Sequence, residues 1–169
     1  PGMSILEIGT GNGWQAKLLK QTGMNVIPLD ITLPDSHGEF VLYNGVHLPV
    51  KTRSIDLIFS SNTLEHVDNL DPLQNELHRV LKPTGRAIHF LPTPTWRLWT
   101  SVVFYSLKLK RLGRLHPLPH QAEHLTTPGK PLVSRLFPQR HGVVGNFLTE
   151  SYYFSRTRWS KHLIATGWQ

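Results

Sequence analysis

A glycine-rich turn near the N-terminus carries the residue pattern best suited to binding chemistry. It is Gly9–Gly13, with the sequence GTGNG, and it follows an apolar, strand-like run. Glycines allow a backbone to bend sharply and let a ligand approach the main chain. A helix that begins after such a turn offers unpaired N–H groups and the positive end of its dipole, which suit an anionic group. The pattern therefore predicts a ligand-binding turn, and a tight strand–helix turn without a ligand is the alternative.

Two carboxylates are spaced to act with this turn. Asp30 ends the second predicted strand, 19 residues after Gly11, where a carboxylate can accept both ribose hydroxyls of an adenosine. Glu7, just before the turn, can accept hydrogen bonds from the turn's N–H groups or from a ligand ammonium. Trp14 stands where the dinucleotide fingerprint G-x-G-x-x-G has its third glycine. An adenosine with an amino-acid head group therefore fits better than a pyrophosphate.

The elements that must position these groups alternate between strands and helices. Apolar, β-branched runs predict strands, and the apolar stripe at helical spacing predicts helices. The predicted strands are 3–8, 24–29, 40–43, 54–60 and 86–91, and the predicted helices are 12–22 and 68–81, the second capped by Asp68 or Asp71. Lys82–Gly85 reads as the turn before the fifth strand. This order predicts an α/β domain with a parallel sheet, whose carboxyl edge binds the ligand.

Composition limits the classes of protein to which the chain can belong. In 169 residues, 39% are hydrophobic and 17% are charged, which is enough apolar content for a folded core. The absence of cysteine excludes a disulfide framework, a cysteine zinc site and a thiol nucleophile. No apolar run or leader pattern indicates membrane insertion or secretion, so we expect a cytoplasmic protein, with peripheral contact to a membrane as the alternative. Both ends read as cut, so we expect a fragment of a longer protein.

Five segments in the right order resemble the class I S-adenosylmethionine-dependent methyltransferases. They are ILEIGTGNG, VIPLD, NGVHLPV, SIDLIFSSNTLEHV and LKPTGRAIHF, within residues 3–91. The nearest likeness is to the small-molecule, quinone-type subgroup. The resemblance implies a Rossmann-like, doubly wound parallel sheet of order 3-2-1-4-5, with the last strands mostly beyond Gln169. It also implies S-adenosyl-L-methionine as cofactor and in-line methyl transfer to a small molecule, and the dense apolar cluster at 96–107 predicts that this molecule is hydrophobic.

The resemblance implies a role for each residue that matches the family's pattern. The implied cofactor-binding residues are Glu7, Gly9, Thr10, Gly11, Gly13, Asp30, Ile31, Asn44, Gly45, Ser61 and Asn62. Ile31 would pack on the adenine, and Ser61 and Asn62, just past the fourth strand, would line the methionine end. Asn44 departs from the aspartate that family members commonly place there, although its side-chain carbonyl can still accept from the adenine amino group.

His66 is the candidate general base for an acceptor that carries a proton. A neutral imidazole at the carboxyl edge of the sheet can take a proton near pH 7. The alternative is a structural or cofactor contact. Some quinone-type relatives bind a metal through E-x-x-E-H, but Asn62 replaces the first carboxylate, so no metal is expected. His116, His120 and His124 recur every four residues, yet Pro117 and Pro119 break the helix that would align them.

The second half of the chain is basic. Residues 96–169 hold 11 basic and 2 acidic side chains. We interpret 1–91 as the cofactor-binding core, 92–154 as a basic, partly helical cap over the acceptor, and 155–169 as a helix returning to the core. Residues 96–114 could instead form a buried helix or contact a membrane peripherally.

Two other classes remain open. One is a degenerate Rossmann-like module that binds membrane or nucleic acid through its basic half. The other is a nicotinamide-dependent oxidoreductase. No nucleic-acid motif is present, so no nucleic-acid partner is expected.

Overall fold

The computed structural model describes residues 2–32, 39–112, 137–138, 140–146 and 149–169. The chain divides into two compact units. The first unit comprises residues 1–91 and 163–169, and the second comprises residues 92–162. The predicted histidine series at 116, 120 and 124 lies outside the described residues.

The first unit contains a five-stranded sheet in which every neighbouring pair is parallel. The strands are β1 (Ser4–Ile8), β2 (Asn25–Asp30), β3 (Val41–Leu42), β4 (Ile55–Ser61) and β5 (Leu81–Phe90). Their order is β3-β2-β1-β4-β5. This confirms the predicted doubly wound, Rossmann-like topology. The order places the carboxyl end of β1 between those of β2 and β4.

Helices connect and follow the strands. They are α1 (Trp14–Gln21), α2 (Leu70–Val80), α3 (Pro94–Leu112), α4 (Glu150–Tyr153) and α5 (Arg156–Ala165), with a 3₁₀ turn at Leu64–His66. The N-cap of α2 is Asn69, not Asp68 or Asp71 as expected. Among the described helices, none combines the length and the apolar content needed to cross a bilayer.

β5 begins earlier than predicted. Leu81 pairs with Ile55, and Arg86 pairs with Leu57, so Lys82–Gly85 lie opposite one residue, Asp56. The expected turn is therefore an irregularity inside the strand. Lys82 Nζ lies 2.7 Å from Asp56 Oδ1. This ion pair joins the irregular segment to β4, a long-range contact that the local turn residues do not reveal.

The last residues of the chain pack within the first unit. The Trp168 ring stacks on His78 with centroids 4.1 Å apart, and its Nε1 donates to Gln74 Oε1 at 2.6 Å. Gln74 is fully buried on α2. The edge of the same indole contacts the His89 ring, with centroids 6.3 Å apart. These contacts fasten residues 163–169 to α2 and β5.

His89 makes the stability of the first unit depend on pH. Its Nδ1 lies 2.7 Å from Ser60 Oγ, and burial lowers the pKa of the imidazole to about 4 from an ordinary value of 6.5. The unfolded chain therefore binds the proton more readily than the folded one. Stability is full above about pH 6.5 and falls as the pH drops toward 4.

We expect the variant His89→Asn to make the free energy of unfolding depend less on pH between pH 7 and pH 5. Asparagine keeps a hydrogen-bonding group near Ser60 but does not titrate. Urea unfolding at pH 7 and pH 5 measures the effect. The wild type should lose about 1–2 kcal/mol more than the variant between the two pH values. Parallel profiles for the two proteins would contradict this assignment.

Candidate functional site

A cavity of about 540 Å³ opens at the carboxyl edge of the sheet in the first unit. Its lining comes from the segments that follow β1, β2, β3 and β4, as expected where open α/β sheets bind ligands. Seven of the predicted site residues line it: Gly9, Asp30, Ile31, Asn44, Gly45, Asn62 and His66. The topology thus brings together residues that are far apart in the sequence.

Five predicted residues do not line this cavity. They are Glu7, Thr10, Gly11, Gly13 and Ser61. Glu7 and Thr10 are buried. Gly11 contacts the cavity only indirectly, because its N–H donates to Asp30 Oδ2 at 2.8 Å. Ser61 is the last residue of β4 rather than a residue past it. These residues therefore lie beside or beneath the cavity wall.

Glu7 is a buried carboxylate in which one of the two oxygens is hydrogen-bonded. Oε2 accepts a hydrogen bond from Thr10 Oγ1 at 2.8 Å, and Oε1 has no partner among the described residues. Burial raises the pKa of Glu7, opposed by the Thr10 hydrogen bond, and nearby Asp30 raises it further. A buried acceptor without a donor is costly unless a ligand supplies one. An ammonium group would satisfy it.

The glycines of the turn have different surroundings. A Cβ at Gly9, where φ is +72°, would lie 2.3 Å from Thr63 Oγ1. A Cβ at Gly11 or Gly13 would meet nothing within 4 Å, although φ is positive at both. Gly9 is therefore required by packing inside the protein. Gly11 and Gly13 leave space beside the main chain that a ligand can enter.

The Asp30 carboxylate lines the cavity and also accepts hydrogen bonds from neighbouring backbone N–H groups. Its Oδ2 accepts from Gly11 N, and its Oδ1 accepts from Thr32 N at 3.1 Å. Tyr43 lines the same cavity, where burial and the charge of Asp30 raise its pKa to about 12. The phenol hydroxyl therefore remains a neutral donor at physiological pH. Asp30 and Tyr43 together offer an acceptor and a donor to a ligand.

Asn44 differs from its predicted role. Its Oδ1 already accepts from the N–H groups of Val46, at 3.0 Å, and His47, at 2.7 Å. A carbonyl oxygen has two lone pairs, so both are used in this turn. The side chain therefore has only its Nδ2 donor left for a ligand, and not the acceptor expected for an adenine amino group.

His66 lies on the 3₁₀ turn after β4, and 45% of its side-chain surface is exposed. Its Nε2 lies 3.9 Å from Oε1 of Glu65, whose side chain is buried. Burial raises the pKa of Glu65, and a hydrogen bond from its own backbone N–H partly opposes this. The imidazole is thus reachable from the cavity and has a carboxyl group beside it.

The sequence has known relatives over its first half. Residues 6–89 match the family described as "Methyltransferase domain". Proteins named as uncharacterized methyltransferases from Mycobacterium sp. strain KMS and Mycobacterium leprae strain Br4923 are 32% and 31% identical to it. Each alignment covers 52% of this chain but only 38% and 36% of the relative, respectively. The chain therefore spans less than two fifths of these relatives' length.

Solved structures support the fold. A SAM-dependent methyltransferase from Archaeoglobus fulgidus has a TM-score of 0.52 at 21% identity, covering 60% of this chain and 51% of that one. A SAM-dependent methyltransferase from Methanosarcina mazei has a TM-score of 0.51 at 23% identity, covering 59% and 57%.

The first unit carries a class I methyltransferase domain. The cofactor of this methyltransferase domain is S-adenosyl-L-methionine. The comparisons do not favour the nicotinamide-dependent oxidoreductase or the degenerate binding module.

The residues present fit this cofactor. Glu7 Oε1 lacks a donor among the described residues, and the methionine moiety carries an ammonium group. Gly11 and Gly13 leave open space beside the turn. Ile31 lines the cavity with 60% of its surface exposed, which suits an apolar contact to a base.

Sequence reasoning missed seven residues that line the cavity of the methyltransferase domain. They are Thr32, Tyr43, Val46, Thr63, Val67, Asp68 and Asn69. Each lies just after a strand or in the segment that follows β4. Position after a parallel strand was the signal available for them, since none of their residue types is specific for a ligand.

We expect Gly9→Ala to destabilise the methyltransferase domain more than the matched variant Gly13→Ala. Both introduce a Cβ at positive φ, at a cost of about 1–2 kcal/mol, but only Gly9→Ala also clashes with Thr63. The clash should add about 1–3 kcal/mol, the range for overpacking. Urea unfolding of the two variants measures the difference. Equal losses would show that Thr63 does not restrict the turn.

Proposed function

We propose that the protein transfers a methyl group from S-adenosyl-L-methionine to a small, hydrophobic acceptor. The observation that carries the proposal is the cavity that joins Gly9, Asp30 and Ile31 at the carboxyl edge of a methyltransferase domain. Because the chain spans little more than a third of its relatives, the activity of the whole protein belongs to the proposal as well.

The chain's own residues would bind and orient the reactants. The remaining lone pairs of the Asp30 carboxylate accept ribose hydroxyls, and Glu7 Oε1 accepts from the ammonium group. The cofactor supplies a methyl group on a sulfonium, which is electrophilic without help from an acid. Most of the catalysis then comes from holding the acceptor in line and excluding water.

His66 would act where the acceptor carries a proton. Its ring is exposed to the cavity, and a neutral imidazole nitrogen can take a proton as a hydroxyl acceptor becomes methylated. With an acceptor that carries no such proton, His66 would serve as a contact only. In neither case is a metal required, and the expectation of a site without metal stays a prediction.

The nature of the acceptor is proposed from the second unit. Aromatic rings of the second unit lie together around Trp96, whose ring centroid is 4.6 Å from that of His141 and 6.4 Å from that of Phe154. They support a hydrophobic acceptor, and with it membership of the small-molecule, quinone-type subgroup. The segment 92–154 would then serve as the acceptor region. The proposal places the protein in the cytoplasm, with no nucleic-acid partner.

Calorimetric titration tests the cofactor assignment directly. We expect S-adenosylhomocysteine to bind with micromolar affinity and NADH not to bind. The variant Asp30→Ala should weaken the binding of S-adenosylhomocysteine by at least about tenfold, which is the scale of hydrogen bonds to a charged group. Asp30→Asn, which keeps an acceptor for Gly11 N, should lose less.

Two controls separate binding from folding. Glu39→Ala removes an exposed carboxylate outside the cavity and should leave the affinity unchanged. Thermal unfolding shows whether Asp30→Ala is folded at the titration temperature. A folded Asp30→Ala variant with wild-type affinity would refute the ribose assignment, and NADH binding without S-adenosylhomocysteine binding would refute the function.

The turn at Asn44 leads to a prediction about the nucleobase. Because Oδ1 is used within the turn, the wild type should favour S-adenosylhomocysteine over S-inosylhomocysteine by no more than about threefold. In Asn44→Asp a second carboxylate oxygen becomes available to the adenine amino group. One additional hydrogen bond of about 1–1.5 kcal/mol should raise the preference to about tenfold. Competition calorimetry with both nucleosides measures it, and strong discrimination by the wild type would contradict the prediction.

A further inference from the structure

Helix α3 has an internal face, to which Phe104 and the charged Arg97 belong, and an outward face that is mainly apolar. Phe104 is 7% exposed and Arg97 is 4% exposed. Arg97 Nε lies 2.9 Å from Oε2 of Glu150, which is fully buried. At 100° per residue these two α3 side chains point in nearly the same direction. They define the face that packs inside the second unit.

On the opposite face the exposed polar residues Thr95 and Ser106 lie among exposed apolar side chains. Their exposed fractions range from 38% for Tyr105 to 68% for Leu109. The members of this outward face are Leu98, Trp99, Val102, Val103, Tyr105 and Leu109. A helix on a protein surface usually turns polar residues to water. A contiguous apolar patch of this kind marks an interaction site.

Charge indicates which partner the outward face would contact. Lys110 is exposed on the same side of the helix, whereas Lys108, 11 residues after Arg97, lies on the side of the internal face. The sequence continues with Arg111 and Arg114, and it contains no Asp or Glu from residue 94 to residue 122. A second copy of the chain carries the same positive charge and offers no acidic group in this segment to pair with it. The partner that complements this helix has an apolar interior and negatively charged groups at its boundary with water.

The aromatic residues match the same partner. Tryptophan and tyrosine, with an apolar ring and a polar atom, are enriched at the depth of lipid headgroups. Trp99 and Tyr105 both lie on the outward face. With 19 residues, α3 is about 28 Å long. No described helix is suited to crossing a bilayer, so α3 would lie along the surface.

We propose that the outward face of α3 docks on an anionic lipid bilayer, with its apolar side chains in the headgroup region and its basic end against the lipid charges. This inference goes beyond the proposed methyl transfer and does not depend on it. Docking of this kind draws on buried apolar area and on attraction to anionic headgroups together.

Co-sedimentation with vesicles tests the proposal. We expect the chain to bind vesicles of phosphatidylcholine with 30% phosphatidylglycerol at least tenfold more strongly than pure phosphatidylcholine. Raising the salt to about 0.5 M should weaken the binding, since screening reduces the electrostatic part. The variant Trp99→Glu should reduce binding at least tenfold, and Lys110→Glu should reduce it severalfold.

A matched control replaces an apolar side chain of similar exposure outside α3. Ile164 on α5 is 69% exposed, so Ile164→Glu should leave vesicle binding unchanged. Circular dichroism and S-adenosylhomocysteine affinity, measured on each variant, show that it remains folded. Equal binding to neutral vesicles, or equal losses in Ile164→Glu and Trp99→Glu, would overturn the proposal. So would a dimer in light scattering that Trp99→Glu abolishes while vesicles remain unbound.

The outcomes also separate this inference from the proposed function. Vesicle binding without S-adenosylhomocysteine binding would refute the cofactor assignment and leave the docking face intact. S-adenosylhomocysteine binding without vesicle binding would refute the docking face and leave the cofactor assignment intact.

Discussion

Thr63 joins the carboxyl ends of β4 and β1, and it can do so only because residue 9 has no side chain. Thr63 Oγ1 donates to the carbonyl of Ile8, at the end of β1, and its methyl and hydroxyl groups occupy the space that a side chain at residue 9 would need. The Gly11 N–H donates to Asp30 in the same way across β1 and β2. Because the cavity lies where these strand ends meet, its shape depends on those two short contacts. A change in either would alter the position of several lining residues at once.

Burial of carboxyl groups near the cavity works against stability. Glu7 and Glu65 both have a raised pKa because each is buried away from water. Near neutral pH, keeping a buried carboxylate charged costs free energy of folding. Functional sites commonly contain groups of this kind, since a ligand or a proton offsets the cost when it arrives. Glu7 is therefore better explained by the ligand that it would hold than by the fold.

The sequence was sufficient to predict the sheet but not every detail of its edge. The alternation of apolar runs and helices predicted a parallel sheet, and the family resemblance implied its strand order. The glycine turn and Asp30 reached the same cavity because parallel strands end on one side. The start of β5 could not be predicted, since the Lys82–Asp56 pair joins residues that are 26 positions apart. Asn44 could not be predicted either: the choice between capping its own turn and facing a ligand is settled by local backbone geometry. The residue type of Tyr43 is not specific for a ligand, so the sequence did not identify it as a residue of the site.

The irregular start of β5 also affects how the sheet meets other molecules. Among the described residues β5 is the outermost strand of the sheet, and an outermost strand offers unpaired backbone groups to which another strand can add. In the Lys82–Gly85 segment, Pro83 lacks an N–H, Lys82 carries a charge, and the backbone is displaced from regular pairing. These features discourage strand addition at the beginning of β5. At its other end residues 86–90 pair in regular register with β4, so a further strand, of this protein or of another chain, would add there.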